Sequence, residues 1–263
     1  MLNRIAAAKK VEVERLKSML DIDAIAVRTR SFDPFKVFKQ EKGGPEIIAE
    51  VKKASPVKGV ICRDFDHLDM ARKYRENGAA AISVISDSQF FGGKSDYLRD
   101  IREEMDLPIL RKDFIIDKLQ LFETAEMGAD MVLLIAALHD YPSLLRLCEK
   151  SLEIGLEPLL EVHNAQEAVM SLDLPVNIIG VNNRDLKSFT IDINTSLELS
   201  SLIPDSLVKV SESGIKSRQD LRLLQDSGFD AALIGEGLAA FPDPGARLHE
   251  LLQYREVKGY DQS

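Results

Sequence analysis

Polar side chains interrupt the apolar runs of this 263-residue chain at a few places, and their types suit proton transfer. Glu50 and Lys52 stand at the end of IIAEV (47–51), two apart and so on one face of an extended strand. Arg111, Lys112 and Asp113 fall inside PILRKDF (108–114), and Glu161 falls at the end of EPLLEV (157–162). Asn182 closes NIIGVN (177–182), with Arg184 just beyond. Glu212-Ser213-Gly214 ends LVKVSESG (207–214), and Gly235-Glu236-Gly237 ends AALIGEG (231–237). One charge at the end of an apolar run means little. Repeated charges of this kind are costly to bury unless they are paired or share a solvated cleft. A cleft of mixed lysine and glutamate suits general acid–base catalysis without a metal. It also tunes its members, since Lys beside Lys is pushed down and Glu beside Glu is pushed up. The glycines of SESGI and IGEGL let backbone N–H groups approach a ligand, and that ligand is expected to be the phosphate of a small substrate.

The elements that position these residues form a repeat. AAISVI (80–85) and DMVLLIA (130–136) complete a set of eight short apolar runs, spaced roughly 20 to 33 residues apart. They are continuous rather than alternating, which reads as strands buried on both faces of a parallel sheet. Amphipathic segments fill the gaps. DHLDMARKYRENGA places Leu68, Ala71 and Tyr74 on one face and stops at Gly78, DKLQLFETAEMGAD stops at Gly128, and SRQDLRLLQDSGFD opens on Ser217 as N-cap and stops at Gly228. Eight strand–helix units in this length predict an α/β fold, a closed (β/α)8 barrel, over an open doubly wound sheet. At least five of the eight strands then end in Glu, Lys or Asn at the face where a barrel builds its site, and the last two strand ends form its usual phosphate site. Residues 1–45 are expected to be an N-terminal extension packed on a single barrel domain of 1–263. Within it a helix is predicted from Leu2 to Leu20, then an irregular stretch through Ser31, Pro34 and Lys42-Gly43-Gly44-Pro45.

Composition excludes several classes. The net charge of −9 comes without a basic stripe, so no nucleic-acid partner is expected. No apolar run approaches the roughly 20 residues that cross a membrane. The start is amphipathic and basic, but Glu12 and Glu14 favour a surface helix over a transit peptide. Two cysteines, Cys62 and Cys148, need no disulfide framework, and a cytoplasmic location is expected. His67, His139, His163 and His249 form no spaced metal-binding set and read as structural. No G-x-S-x-G motif supports a serine hydrolase. A monomer is expected, since no large exposed apolar face is evident.

Seven segments in order carry a resemblance: AEVKKASPVKG (49–59), FFGGKSDYL (90–98), PILRKDFIID (108–117), LLEVHN (159–164), IGVNNRDL (179–186), VSESGI (210–215) and LIGEGL (233–238). Together they resemble the indole-3-glycerol-phosphate synthases of tryptophan biosynthesis. The resemblance implies a cofactor-free carboxy-lyase that takes 1-(2-carboxyphenylamino)-1-deoxyribulose 5-phosphate to indole-3-glycerol phosphate, carbon dioxide and water. By motif position it implies Lys112 as general acid, Glu161 as its catalytic partner, and Glu50 and Lys52 as a pair for dehydration and substrate contact. It implies Asn182 as an orienting residue, Arg184 on the anthranilate carboxylate, and Glu212 and Ser213 along the seventh strand end, Ser213 among the catalytic residues. Gly214, Gly235 and Glu236 are implied as backbone donors to phosphate, with Ser55, Pro56 and Phe114 as further substrate contacts.

Some positions depart from the family's commonest pattern. Ser86-Asp87 stands where Thr with Glu or Asp is more frequent, Lys94 where Ser is frequent, and Glu236 where Ser, Thr or Glu alternate. The second-strand loop is therefore the least defined part of the expected site. Phosphate-binding isomerase barrels rely on a Cys–Asp or Asp–Asp pair at strand ends. Here the first strand ends in Glu and Lys, and Cys62 lies beyond the loop. A non-catalytic barrel would have lost one of Glu50, Lys52, Lys112, Glu161 or Asn182, and all are present.

Overall fold

The computed structural model describes residues 2–19, 32–39, 43–186 and 188–257. Eight parallel strands close into a barrel: β1 (Glu46–Val51), β2 (Ala81–Ile85), β3 (Ile109–Lys112), β4 (Met131–Ile135), β5 (Glu157–Val162), β6 (Ile178–Asn182), β7 (Val208–Glu212) and β8 (Ala231–Ile234), with β8 paired to β1. Each strand lies within the apolar run that predicts it or one residue outside it. The last two stop short of the Gly-rich ends of their runs. Ser213 turns into the left-handed region at φ 67°, and Gly235 sits at φ −104°, ψ −81°.

Helices alternate with the strands, and polar caps fix where they start. Ser217 is the N-cap that the sequence predicts, accepting from Asp220 N; it also forms a capping box with Asp220, as Asp117 does with Gln120. The predicted stops Gly78, Gly128 and Gly228 all take positive φ. The N-terminal helix α1 runs Leu2–Met19; Leu20, Ser31 and Lys42 lie outside the described residues. The stretch expected to be irregular holds a short helix, Pro34–Phe38. Asp33 caps it by accepting from Phe35 N at 3.0 Å, and Pro34 stands at its first position, where a missing N–H costs nothing.

Two apolar cores result. The outer one lies between strands and helices, around residues such as Ile47, Val84, Leu121 and Leu224. The inner one fills the barrel with alternate strand residues: Ile48, Ala81, Leu110, Met131, Leu133, Leu159, Ile178, Val208, Val210, Ala231 and Leu233. Phe32 and Phe38 join this inner core. Lys39 pairs with Asp230 just before β8, which sets the short helix across the barrel's N-terminal end. The opposite end is open.

Candidate active site

The side-chain period of two carries each inner-core stripe to the open end. From Ile48 the next inward residue on β1 is Glu50. From Leu110 on β3 it is Lys112, from Leu159 on β5 it is Glu161, and from Val210 on β7 it is Glu212. On β6 the stripe ends at Asn182. On β2 and β4 it ends at Ile85 and Ile135, two apolar walls. One pocket gathers these residues with Lys52, Ser55, Pro56, Phe114, Arg184, Ser213, Gly214, Gly235 and Glu236. All fourteen residues picked from the sequence therefore line one mouth.

Lys112 is at its centre. Its Nζ lies 2.8 Å from Glu161 Oε2 and 2.8 Å from Glu212 Oε2. Burial opposes the ammonium, but the two carboxylates outweigh it and hold Lys112 above the ordinary lysine pKa. The lowering expected where Lys stands beside Lys does not arise at Lys112, whose charged neighbours are carboxylates. Burial likewise favours neutral Glu161, yet Lys112 and His163 hold it well below the usual carboxylate range. Glu212 behaves differently. Burial pushes its carboxyl up to about 7, against the pull of Lys112 and with added repulsion from Glu161. Glu212 Oε1 finds no hydrogen-bond partner among the described residues. The mouth thus places a carboxyl whose proton affinity is raised beside an ammonium that two carboxylates stabilise.

Glu50 and Lys52 form a second pair, 2.5 Å apart. Two glycines make room for the carboxylates. A Cβ on Gly235 would run into Glu50 Oε2 and come within 3.2 Å of Lys52 Nζ. A Cβ on Gly180 would collide with Glu212 Oε1 and lie 2.6 Å from Leu159 Cδ2. Gly235 thus serves by close approach rather than by positive φ. Gly214 differs: its φ of 84° disfavours any Cβ, and it follows Ser213 in the same left-handed region. The buried Asn183 supports that turn, donating from Nδ2 to Ser213 O at 2.9 Å and to Ser211 Oγ at 3.1 Å.

Loops complete the mouth. A small hairpin pairs Ala54–Ser55 with Gly59–Val60, and Ser55 Oγ accepts from Lys58 N at 3.2 Å. Lys58 reaches across to Glu236 at 2.6 Å and so ties this hairpin to the start of the short helix after β8. Phe91 and Phe114 face each other with centroids 6.0 Å apart. Arg184 donates to Phe189 O at 3.3 Å, and its backbone N donates to Asn182 Oδ1 at 3.0 Å. In the second-strand loop, Asp87 lines the pocket. Lys94 is exposed, with its ammonium 5.9 Å from the Tyr97 ring centroid.

The outward face of β3 holds another charged cluster. Lys9, on the buried stripe Ile5–Lys9–Val13–Leu16 of α1, is 1% exposed and lies 2.7 Å from Asp113 Oδ1 and 3.0 Å from Asp87 Oδ2. Arg111 meets Asp113 at 3.0 Å and Glu123 at 2.8 Å. Ile5 reaches the pocket wall itself. Among the described residues no group of three or more His, Cys, Asp or Glu is placed to hold a metal ion.

Comparison with known proteins agrees with this geometry. Residues 2–251 match the family model described as indole-3-glycerol phosphate synthase. The chain belongs to the indole-3-glycerol phosphate synthase family. The enzyme of that name from Chlorobium chlorochromatii is 45% identical over 243 residues, covering 90% of this chain and 94% of that protein. The one from Alkaliphilus metalliredigens is 41% identical over 254 residues, covering 95% and 97%. Among solved structures, KGPDC from Streptococcus mutans superposes with a TM-score of 0.61 at 14% identity, over 81% of this chain and 98% of that one. 3-Hexulose-6-phosphate synthase from Salmonella typhimurium gives 0.65 at 13%, over 80% and 98%. These two share the barrel.

Sequence reasoning missed several neighbours of the family's motif residues. Lys9 carried a readable signal, since a lysine on the apolar stripe of an amphipathic helix requires a buried partner. His163, read as structural, directly adjoins Glu161, and its position one step past a charged strand end was the clue. Asn183 had no signal of its own, because only the β6–β7 juxtaposition brings it to Ser213.

Proposed function

We propose that the barrel mouth carries out the indole-3-glycerol phosphate synthase reaction of tryptophan biosynthesis through Lys112, flanked by Glu161 and Glu212. The observation that carries this reading is the buried ammonium bridged by two carboxylates whose proton affinities differ. Ring closure joins the anthranilate carbon that bears the carboxylate to the substrate carbonyl carbon. Positive character builds on the aromatic ring while the carbonyl oxygen becomes a hydroxyl. Lys112 donates that proton, Glu161 orients it, and the carboxyl pair beside it returns the proton. Loss of carbon dioxide returns the electron pair to the ring. The new hydroxyl then leaves as water and a neighbouring carbon gives up a proton. Lys52 and Glu50 form the acid–base pair for that step.

Substrate contacts divide by charge. The half-buried Arg184 fork holds the anthranilate carboxylate, where bidentate geometry fits, and Asn182 fixes the loop that carries it. Phe114 and Pro56 border the aromatic ring, with Ser55 beside them. Gly214, Gly235 and Glu236 present backbone N–H groups to the phosphate at the seventh and eighth strand ends, the last at the open start of a short helix. Ser213, held in its left-handed turn, lines the same corner. We read residues 1–45 as an extension of one domain, and the enzyme as a cytoplasmic monomer. No helix among the described residues is long and apolar enough to cross a membrane.

The test is turnover of 1-(2-carboxyphenylamino)-1-deoxyribulose 5-phosphate followed by indole fluorescence, with no metal or cofactor added. Product formation, inhibited competitively by inorganic phosphate, is expected. An inactive protein that still binds the substrate would leave a binding barrel as the better reading.

A further inference from the structure

Two glutamates touch the Lys112 ammonium at the same distance, 2.8 Å, yet they are not equivalent. The difference lies behind Glu161. Its Oε2 meets Lys112, and its Oε1 lies 3.1 Å from His163 Nε2. The other ring nitrogen, Nδ1, lies 3.2 Å from Glu167 Oε2. A carboxylate oxygen lies within 3.2 Å of each ring nitrogen; Nδ1 is hydrogen-bonded to Glu167, while Nε2 faces Glu161 by charge at close range without an aligned hydrogen bond. Two carboxylates this close favour the doubly protonated, cationic ring. Glu167 is itself fixed: Oε2 also accepts from His163 N at 2.8 Å, and Oε1 accepts from Asn164 Nδ2 at 2.7 Å. The histidine side chain is 7% exposed, so water does little to screen it. Glu212 has no such support. Its Oε2 meets Lys112, and its Oε1 is buried without a hydrogen-bond partner among the described residues.

We propose that His163 is a positioning residue that divides the labour between the two glutamates. Sandwiched as a cation between Glu161 and Glu167, it holds Glu161 as an anion aimed at Lys112 and leaves Glu212 as the carboxyl that takes up and releases a proton. This rests on the reading of Lys112 and Glu161 as reacting groups, and it adds what decides their charge states. The groups facing Glu161 are Lys112 from β3, Glu212 from β7 and His163 on its own strand's extension, with Glu50 from β1 facing Lys112. Glu161 and Glu167 are the charges that face the ring, and they hold it cationic up to about pH 10 against the opposing effect of burial. Because Glu161 and Glu212 share Lys112, their protons come off as steps of the pair, and a cation on one partner lowers those steps.

The test is the pH dependence of kcat/KM in the full-length enzyme for wild type, His163→Gln, His163→Leu and Glu161→Gln, with His163 followed by ring-carbon NMR in the wild type. Losing an opposite charge at this distance raises a carboxyl pKa by roughly 1–3 units. The acidic limb is therefore expected to move up by about one unit or more in both His163 variants. His163→Gln, which keeps a donor, retains a higher plateau than His163→Leu. In the wild type the ring is expected to stay imidazolium at pH 8. A uniform fall in activity with an unmoved limb, or a neutral ring at pH 8, would overturn the proposal. If Glu161→Gln turns over normally, the underlying reading of Glu161 fails instead, a result separable from the first. Should His163→Leu fold poorly, the glutamine variant and the wild-type spectrum still decide.

Discussion

β3 carries charge on both faces, and the two clusters behave differently although both are buried. On the outward face, Asp113 sits between the Lys9 ammonium and the Arg111 guanidinium. Burial raises its pKa, but those two cations win, and Asp113 is held down at about 2. Arg111 and Lys9 are in turn raised by their carboxylate partners against burial. On the inward face one ammonium serves two carboxylates, and Glu212 is left at about 7. Where cations surround a buried carboxylate, the protons are locked and the cluster acts as a strut. Glu212 instead has a single ammonium, which it shares with Glu161, and its carboxyl stays raised. Adjacent residues of one strand thus do structural and chemical work by parity alone.

Five substitutions probe this contrast and the site around it. Lys112→Ala is expected to lower kcat by about 10²–10⁴-fold while leaving the fold intact, as loss of a general acid does. Circular dichroism together with steady-state kinetics checks it, and near-wild-type kcat would remove Lys112 from the chemistry. Lys9→Met strikes the opposite face. It takes the Lys9 cation from Asp87 and leaves Asp113 with Arg111 alone, which costs about 3–5 kcal/mol of stability. Urea unfolding is expected to show that loss, with kcat changed much less than by Lys112→Ala. If Lys9→Met left stability unchanged and abolished turnover, the division between strut and chemistry would collapse.

Arg184→Ala removes a charge-assisted contact worth roughly 1.5–3 kcal/mol. KM is expected to rise by about 10–100-fold with kcat nearly unchanged. A fall in kcat at constant KM would move Arg184 from binding into chemistry.

The smallest effect concerns pH. Glu212 has a folded pKa of about 7, above its unfolded value of about 4.3. The folded state keeps this proton longer, so Glu212 lowers stability progressively as pH rises from about 4 to about 7. Asp113 has the opposite sign. Its folded pKa of about 2 lies below the unfolded value of about 3.9, so its contribution is present above pH 4 and fades as pH falls toward 2. Glu212→Gln is therefore expected to raise Tm slightly at pH 8 and lower activity, whereas Asp113→Asn lowers Tm at pH 7. A Glu212→Gln variant less stable than wild type at pH 8 would show that its carboxylate is not under strain there.

The strands were legible because parallel strands buried on both faces leave continuous Ile, Val and Leu runs, and the mouth was legible because those runs end in residues that apolar surroundings do not tolerate. Ser217 was legible as a cap, since a serine before an amphipathic segment has a local partner. The helix at Pro34 went unread although Asp33 and Pro34 are a start signal, because five residues show too little periodicity. Lys9 went unread because Asp87 and Asp113 lie far along the chain, whereas His163 has Glu161 and Glu167 nearby in sequence and was passed over because it belongs to no spaced metal-binding set.

The sequence by itself determined the family, the barrel, and the residues that face its open end, because strand parity and motif spacing are local properties. The tertiary structure alone decided how charge is distributed among them. Lys112 and Glu212 are a hundred positions apart in the chain and 2.8 Å apart in space. Which carboxyl is ionised, and which glycine must lack a Cβ to admit it, depends on distances across the barrel. Electrostatic energy in a buried site follows those distances, and chain order does not encode them.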